Sequence, residues 1–467
     1  MNKSDIIIIG SGLGALECAA LLSKRGRDVV VLERQMQPGG CMQSYQRKGH
    51  YYDTGLHYVG GLGEGQALHS TFKDLGLLAL PWKRLDSSAF DKVTICGETF
   101  DYAEGYDNFM HRLAERFPHE KEGLKAYIDV LQQCDDRNMQ YADVNAWEWL
   151  HQVFHDELLI AVLSGASLKM ELRKETLPLF TFAHGNSSFI QSSWRLQGDG
   201  NMIVRRLIDV IKENGGRVLC NHEVVELIET DGRVTSALCS NGERYDADIF
   251  ISNAHPSVTC SLVKESKVMK NIYKKRIGRL DNTTGMFTCS LKVKDGIVPY
   301  FNHNKFIYTS QDVWELPSRA DGSGILVSAR VPKDGESHLQ QIDILTPMSW
   351  EECKPWENTT IGHRGDDYRE MKSRKAKMLV ALAETQVPGL ADAIEECYCS
   401  TPLTYRDYNL SPYGSAYGIR KDCTQPMMTI LSPRTPIPNL LMTGQNLMLH
   451  GLHGVTMTAL FTCREIE

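Results

Sequence analysis

The stretch Asp5-Ile6-Ile7-Ile8-Ile9-Gly10-Ser11-Gly12-Leu13-Gly14-Ala15 decides the fold, together with Asp28-Val29-Val30-Val31-Leu32-Glu33, which follows a helical segment from Glu17 to Lys24. Its parts come in the order strand, glycine turn, helix, strand, acid. Continuous β-branched runs such as Ile6 to Ile9 mark parallel strands covered on both faces. Gly10 and Gly12 permit a tight turn and let a pyrophosphate reach bare backbone along Ser11, Leu13 and Gly14. The helix that follows turns unpaired N–H groups and its positive dipole end towards the phosphates. Glu33 stands about twenty residues after the glycines, where an acid accepts the ribose hydroxyls of an adenine dinucleotide. A 2′-phosphate would be repelled there, so the pattern predicts FAD or NAD rather than NADP. Ala15 takes the place of the third glycine, a position that only has to be small for helix and strand to touch.

Working outward, Glu33-Arg34 leads to Pro38-Gly39-Gly40-Cys41, Ser44, Gly49 and Tyr51-Tyr52-Asp53-Thr54-Gly55-Leu56-His57-Tyr58. This run resembles the second flavin signature of glutathione-reductase-like flavoproteins, in the form carried by the phytoene desaturase, carotenoid isomerase and retinol saturase family. Similar stretches recur at Ser193 to Asn201, Ser400 to Tyr408, Gly414 to Gly418 and Arg434 to Asn446, with the poorest coverage over residues 260 to 395. The resemblance implies FAD as the cofactor. It implies that Gly39 and Gly40 pass close to the diphosphate beside Arg34 and Cys41, and that Gly55, Leu56 and His57 run beside the isoalloxazine. It also implies backbone hydrogen bonds from Val224 to the adenine, and a strand ending at Asn253 near the dinucleotide.

A chain of 467 residues, 42% hydrophobic and 23% charged, is long enough for two domains with substantial cores. A formal charge of -7 supplies no electrostatic footprint for nucleic acid, which is not expected as a partner. The thirteen cysteines are scattered and nowhere form C-x-x-C, the closest pair being Cys397 and Cys399. Buried thiols in a reduced, cytoplasmic protein fit this usage, and the spacing shows no metal ligand set. No apolar window approaches about eighteen residues, so no transmembrane helix is expected. A peripheral membrane contact through exposed apolar surface stays open.

Further along, Leu68, Phe72, Leu75 and Leu78 predict a helix over 66–78, and Phe90 to Tyr102 reads as a hairpin about Gly97. Residues 106–172 read as helical, a block suited to a lid or substrate wall. A helix to Lys212 stops at Gly215-Gly216, and strands follow at 217–219, 222–228, 234–238 and 247–254. Residues 260–398 mix strands at 286–293, 305–309 and 324–331 with a helix over 368–386. Trp350 and Trp356 either line a pocket or pack. The expected architecture is α/β: a glutathione-reductase-like, Rossmann-type FAD-binding domain, discontinuous over 1–80, 190–260 and 400–467. A mixed α+β substrate-binding and lid domain, over 81–189 and 261–399, completes an amine-oxidase-like arrangement.

Near the C-terminus, Leu440 to Thr443 reads as a buried strand, and Gly444-Gln445 lets backbone approach the cofactor. Gly451 to Val455, including Gly454, opens a helix whose N-terminus would stabilise negative charge on reduced flavin. His57, Tyr405, His450 and His453 are the candidate proton-handling residues, with Tyr413 and Tyr417 as further acids. The expected activity is FAD-dependent oxidation or reduction at carbon–carbon double bonds of an apolar polyene or isoprenoid, in the manner of a retinol saturase. Desaturation or isomerisation of a carotenoid, an amine or porphyrinogen oxidase, and a flavin-stabilised binding protein are the alternatives. The electron donor or acceptor is not legible.

Overall fold

In the structure, a computed structural model that describes residues 3–134, 139–319, 321–333 and 335–466, the isoleucine run lies in strand Ser4–Ile9. Val29–Leu32 and then Arg217–Leu219 flank it on one side and Arg244–Ser252 on the other, all parallel. Leu440–Met442 pairs in parallel with the last residues of Arg244–Ser252. The first residues of that long strand carry antiparallel Arg233–Cys239 and then Val224–Thr230, which makes seven strands in all. Ile6, Ile7, Ile8 and Val29 to Val31 are wholly buried, as β-branched runs in a doubly covered sheet must be.

Helix Leu13–Lys24 is buried at every residue from Leu13 to Ser23. Only a helix covered on all sides can be apolar all round; here the sheet and helices Asn201–Glu213 and Gly451–Arg464 surround it. Its Glu17 accepts a 2.8 Å hydrogen bond from Thr456, and burial pushes this carboxyl up to about 8, so it is neutral at pH 7.

The second sheet also has seven strands, in the order Ile394–Ser400, Gly285–Val293, Gln341–Met348, Gly324–Ala329, Asn304–Tyr308, Asp91–Ile95 and Glu98–Tyr102. The hairpin expected about Gly97 is present, and it joins this sheet through parallel pairing of Asp91–Ile95 with Asn304–Tyr308. Gln341–Met348 and Ile394–Ser400 are strands that periodicity does not reveal. On one face the helices from Tyr106–Arg116 to Leu179–Gln191 build a core with Phe306, Tyr308 and Leu345. On the other, helix Gly365–Glu384 packs Leu379 and Ala383 against Phe287, Cys289 and Leu291.

The helix read over 66–78 is shorter, His69–Asp74 with a turn at Leu77–Ala79, although Leu68, Phe72 and Leu75 are buried as its spacing requires. Trp350 packs against the Tyr413 ring and Trp356 against Tyr368. Strand Ser193–Leu196 pairs with Val59–Gly60 and Trp82–Arg84 in a small third sheet. Helix Pro402–Asn409 touches both halves of the molecule: Leu403 lies in the core of the second sheet, while Asn409 donates to the Cys41 sulfur.

Asp53 makes another such link. It accepts hydrogen bonds from Ser44 (2.6 Å) and Gly200 N (2.7 Å) and pairs with Arg330 (2.6 Å), which follows strand Gly324–Ala329 of the second sheet. Among the described residues no helix is long and apolar enough to cross a membrane.

Candidate active site

Loops from the C-terminal ends of adjacent parallel strands converge on one turn. Gly10 N donates to Leu32 O, Asn253 N to Ile9 O and Thr443 N to Ser252 O, at 2.8, 2.9 and 2.9 Å. This end of an α/β sheet is where ligands bind, because bare backbone and helix N-termini face outward there. The Asn253 amide lies between two of the loops. A Cβ on Gly12 would come within 2.4 Å of its Nδ2, and one on Gly444 within 2.4 Å of its Oδ1, so neither position accepts a side chain. Asn253 Oδ1 is buried without a hydrogen-bond partner among the described residues, an acceptor left facing this cradle.

Glu33 is held beside the turn: Ser11 N and Oγ donate to one oxygen at 2.9 and 2.5 Å and Gln35 N to the other at 2.7 Å. Gly39 N donates to Ser11 Oγ at 3.0 Å, which fastens the Gly39-Gly40 turn to the first loop. Arg34 reaches the carbonyls of Asp407 and Tyr408, so its guanidinium ties the helix Pro402–Asn409 to this end of the sheet.

From here a cavity of about 400 Å3 runs between the two sheets. Gly10, Ser11, Gly12, Leu13, Gly14, Glu33, Arg34, Gly40, Cys41, Val224, Asn253, Gly444 and Gln445 line it, with Gly55, His57, Gly454 and Val455. Gly39 and Leu56 are buried behind that wall instead of in it. The N-termini of Leu13–Lys24 and Gly451–Arg464 both reach the cavity, bringing positive dipole ends to it. The residues fit an adenine dinucleotide: a glycine cradle of bare backbone, an acid at the ribose position, and two helix N-termini.

The far end is walled by Leu168 and Phe189 of the helical block, Met286, Leu326 and Leu345 of the second sheet, and Leu449 of the loop before Gly451–Arg464. His57, Tyr405, Tyr417, His450 and His453 all reach it, whereas Tyr413 is 65% exposed and stands outside. Burial pulls His57 below its ordinary value, against the carboxylate of Asp343 at 3.9 Å. Burial also pulls His450 down to about 4, and its Nε2 lies 2.9 Å from the Lys169 carbonyl. Both imidazoles are therefore neutral at pH 7. Tyr405 and Tyr417 are pushed up by burial and keep their protons, Tyr417 donating to Leu168 O at 2.8 Å. The His453 ring lies 5.7 Å from that of His184.

Lys169, which pattern reading passes over, enters the same wall. Its Nζ sits 3.8 Å from the Phe189 ring centroid and 5.5 Å from that of Tyr58. Burial pulls this ammonium down to about 8, partly opposed by Asp91. Asp91 is itself fully buried and accepts from Tyr58 Oη at 2.9 Å and Asn304 Nδ2 at 2.8 Å, while Arg195 donates to Asn304 Oδ1 at 2.6 Å. One sequence signal was available: Lys169 is the sole charged residue between Leu158 and Met170.

The NAD(P)-binding Rossmann-like domain family matches residues 8–75. Human all-trans-retinol 13,14-reductase is 25% identical over 98% of this chain and 85% of its own length. The neurosporene-forming phytoene desaturase of Rhodobacter capsulatus is 24% identical over 88% of this chain and 84% of its own. The chain is an oxidoreductase homologous to both. Putrescine oxidase bound to putrescine superposes on this homologue with a TM-score of 0.68 at 14% identity, over 100% of this chain and 99% of the other, a likeness of fold alone. The amine-oxidase-like arrangement of the two sheets is thereby shown for the homologue as well.

Proposed function

We propose that the protein binds FAD and reduces a carbon–carbon double bond of a long apolar polyene, in the manner of the retinol reductases it resembles. The observation that carries this reading is the single cavity joining a dinucleotide cradle to an apolar end that holds the Lys169 ammonium. Gly12, Gly40, Asn253 and Gly444 would hold the diphosphate, Glu33 the ribose, and the N-terminus of Gly451–Arg464 the electron-rich edge of the flavin ring. FAD bound there supplies hydride transfer.

The remaining requirements fall to the chain's own residues. Leu168, Phe189, Met286, Leu326 and Leu345 exclude water and align a flat hydrocarbon. Lys169 Nζ holds the proton that must reach the second carbon, and at about 8 its acidity matches neutral conditions better than any tyrosine in the wall. An amine substrate suits this end poorly. Its cation would meet Lys169, and the only carboxylates among the described lining residues, Glu33 and Glu223, stand at the nucleotide end.

The purified protein is expected to show a flavin spectrum. Reduced anaerobically with dithionite, it should re-oxidise when all-trans-retinol or a carotenoid is added, as polyene absorbance moves to shorter wavelength. Flavin that stays reduced in the presence of every polyene tried would defeat the proposed substrate class. Glu33→Arg should lose charge-assisted bonds of about 1.5–3 kcal/mol each and purify with little or no flavin; full flavin content would remove Glu33 from the ribose site.

A further inference from the structure

The second sheet carries a cluster of thiols on the face turned away from the cavity. Cys289, in Gly285–Val293, stands directly opposite Cys399, in the edge strand Ile394–Ser400. Strand alternation puts Cys397 on the same face as Cys399, two residues before it. The sulfurs of Cys289 and Cys399 are 3.8 Å apart and those of Cys397 and Cys399 3.6 Å, with all three within 4.8 Å of one another. None is in a disulfide. Spacing in the sequence assigns no metal ligands to this chain because Cys289 lies 110 residues from Cys399 and only the strand pairing unites them.

The separations have a chemical meaning. A tetrahedral ion with metal–sulfur bonds of about 2.3 Å holds its sulfurs about 3.8 Å apart. Unbonded thiols brought to that spacing on a rigid pair of strands need little movement to share an ion. Cys289 is wholly buried and forms the floor, while Cys397 is exposed, so the open side faces solvent. Lys372 of helix Gly365–Glu384 places its Nζ 3.4 Å from the Cys399 carbonyl, and a cation there favours thiolates without competing as a ligand. Met286 and Leu345 of the same sheet line the cavity, whereas Cys289 packs with Leu291 on the side of that helix.

We propose that Cys289, Cys397 and Cys399 form a trithiolate site for one zinc ion, with the fourth position open to water. Three sulfur–metal bonds form as the thiols give up their protons to solvent, and no electrons move. Soft sulfur ligands select zinc over magnesium or calcium. The ion would clamp the edge strand Ile394–Ser400 to its neighbour. That strand leads directly into the helix bearing Tyr405, so the clamp acts on the cavity wall from behind.

The test uses the full-length protein, reduced and treated with chelator, then titrated with cadmium as a spectroscopic probe for zinc. Wild type should develop an ultraviolet sulfur-to-cadmium charge-transfer band that saturates at one ion per chain and is displaced by added zinc. Cys397→Ser, at an exposed position that tolerates the change, should weaken cadmium binding by about a hundredfold or more, since loss of even an outer-sphere partner costs 10–100-fold. Cys399→Ser should do the same, and Cys96→Ser, which removes an exposed thiol elsewhere, should not. Absence of a stoichiometric band in reduced wild type, or a band that survives in both Cys397→Ser and Cys399→Ser, would overturn the assignment. Both outcomes are read without reference to flavin or polyene, so they stand apart from the proposed activity.

Discussion

Replacing Lys169 with Met is expected to lower the rate of polyene reduction by ~10²–10⁴-fold, the span that a positioned proton donor supplies, while flavin content and spectrum stay as in wild type. Methionine keeps the length and apolar stem of the side chain, so its packing on Phe189 and Tyr58 changes little. What goes is the proton. Because burial sets this ammonium at about 8, the wild-type rate should be level at lower pH and fall as pH rises through that value. The direction follows from the reaction: the donor form is the cation, which is present below its pKa and lost above it. The variant should lose the alkaline fall together with the rate. Single-turnover re-oxidation of reduced enzyme, measured across pH, reads both effects; a variant with an unchanged rate would return the proton to His453 or to solvent.

Asp53→Asn is expected to destabilise the protein by about 1–3 kcal/mol, less than the ~3–5 kcal/mol of a buried charge left alone, because Asp343 and Asp199 also act on the Arg330 guanidinium. Asp53 and Arg330 are 8% and 15% exposed, and besides Asp53 the arginine reaches only the Gly198 carbonyl among its hydrogen bonds described here. The asparagine would keep one oxygen for Ser44 and Gly200 but offer no charge to the guanidinium. Adding Arg330→Met to the same chain should recover part of the loss, since the charge that has lost its hydrogen-bonded partner is then gone. Denaturant midpoints of wild type, both single variants and the double variant measure the coupling. Strict additivity of the two single losses would mean that the pair does not act as a unit.

The dinucleotide half of the molecule is legible because its signals are local. Ile6 to Ile9 and Val29 to Leu32 declare buried parallel strands by composition, and Gly10, Gly12 and Glu33 declare what they carry by spacing. The second sheet is less legible because its strands owe their form to distant partners. Gln341–Met348 contains Pro347, which argues against a central strand. The structure admits it because the neighbouring strand pairs only as far as Leu345, so the missing N–H faces no acceptor on that side. Ile394–Ser400, with its two glutamates and two cysteines, takes its form from pairing with Gly285–Val293. The active-site end is harder again. Nothing around Lys169 in the sequence marks it beyond its isolation in an apolar run, and it becomes a candidate only when the fold half-buries it beside Phe189 in the cavity wall.

The cradle formed by Gly12, Asn253 and Gly444 draws its three sides from the beginning, middle and end of the chain. A ribosome adding about 5–20 residues per second emits the first side long before the last. Throughout that interval helix Leu13–Lys24, apolar on every face, lacks the cover that Gly451–Arg464 later provides. Until then its apolar surface stays uncovered on that side, and the cradle is not closed before translation has passed Gly444. A polypeptide cut short before that glycine would keep Gly12 and Asn253 but lack the side of the cradle that closes on them.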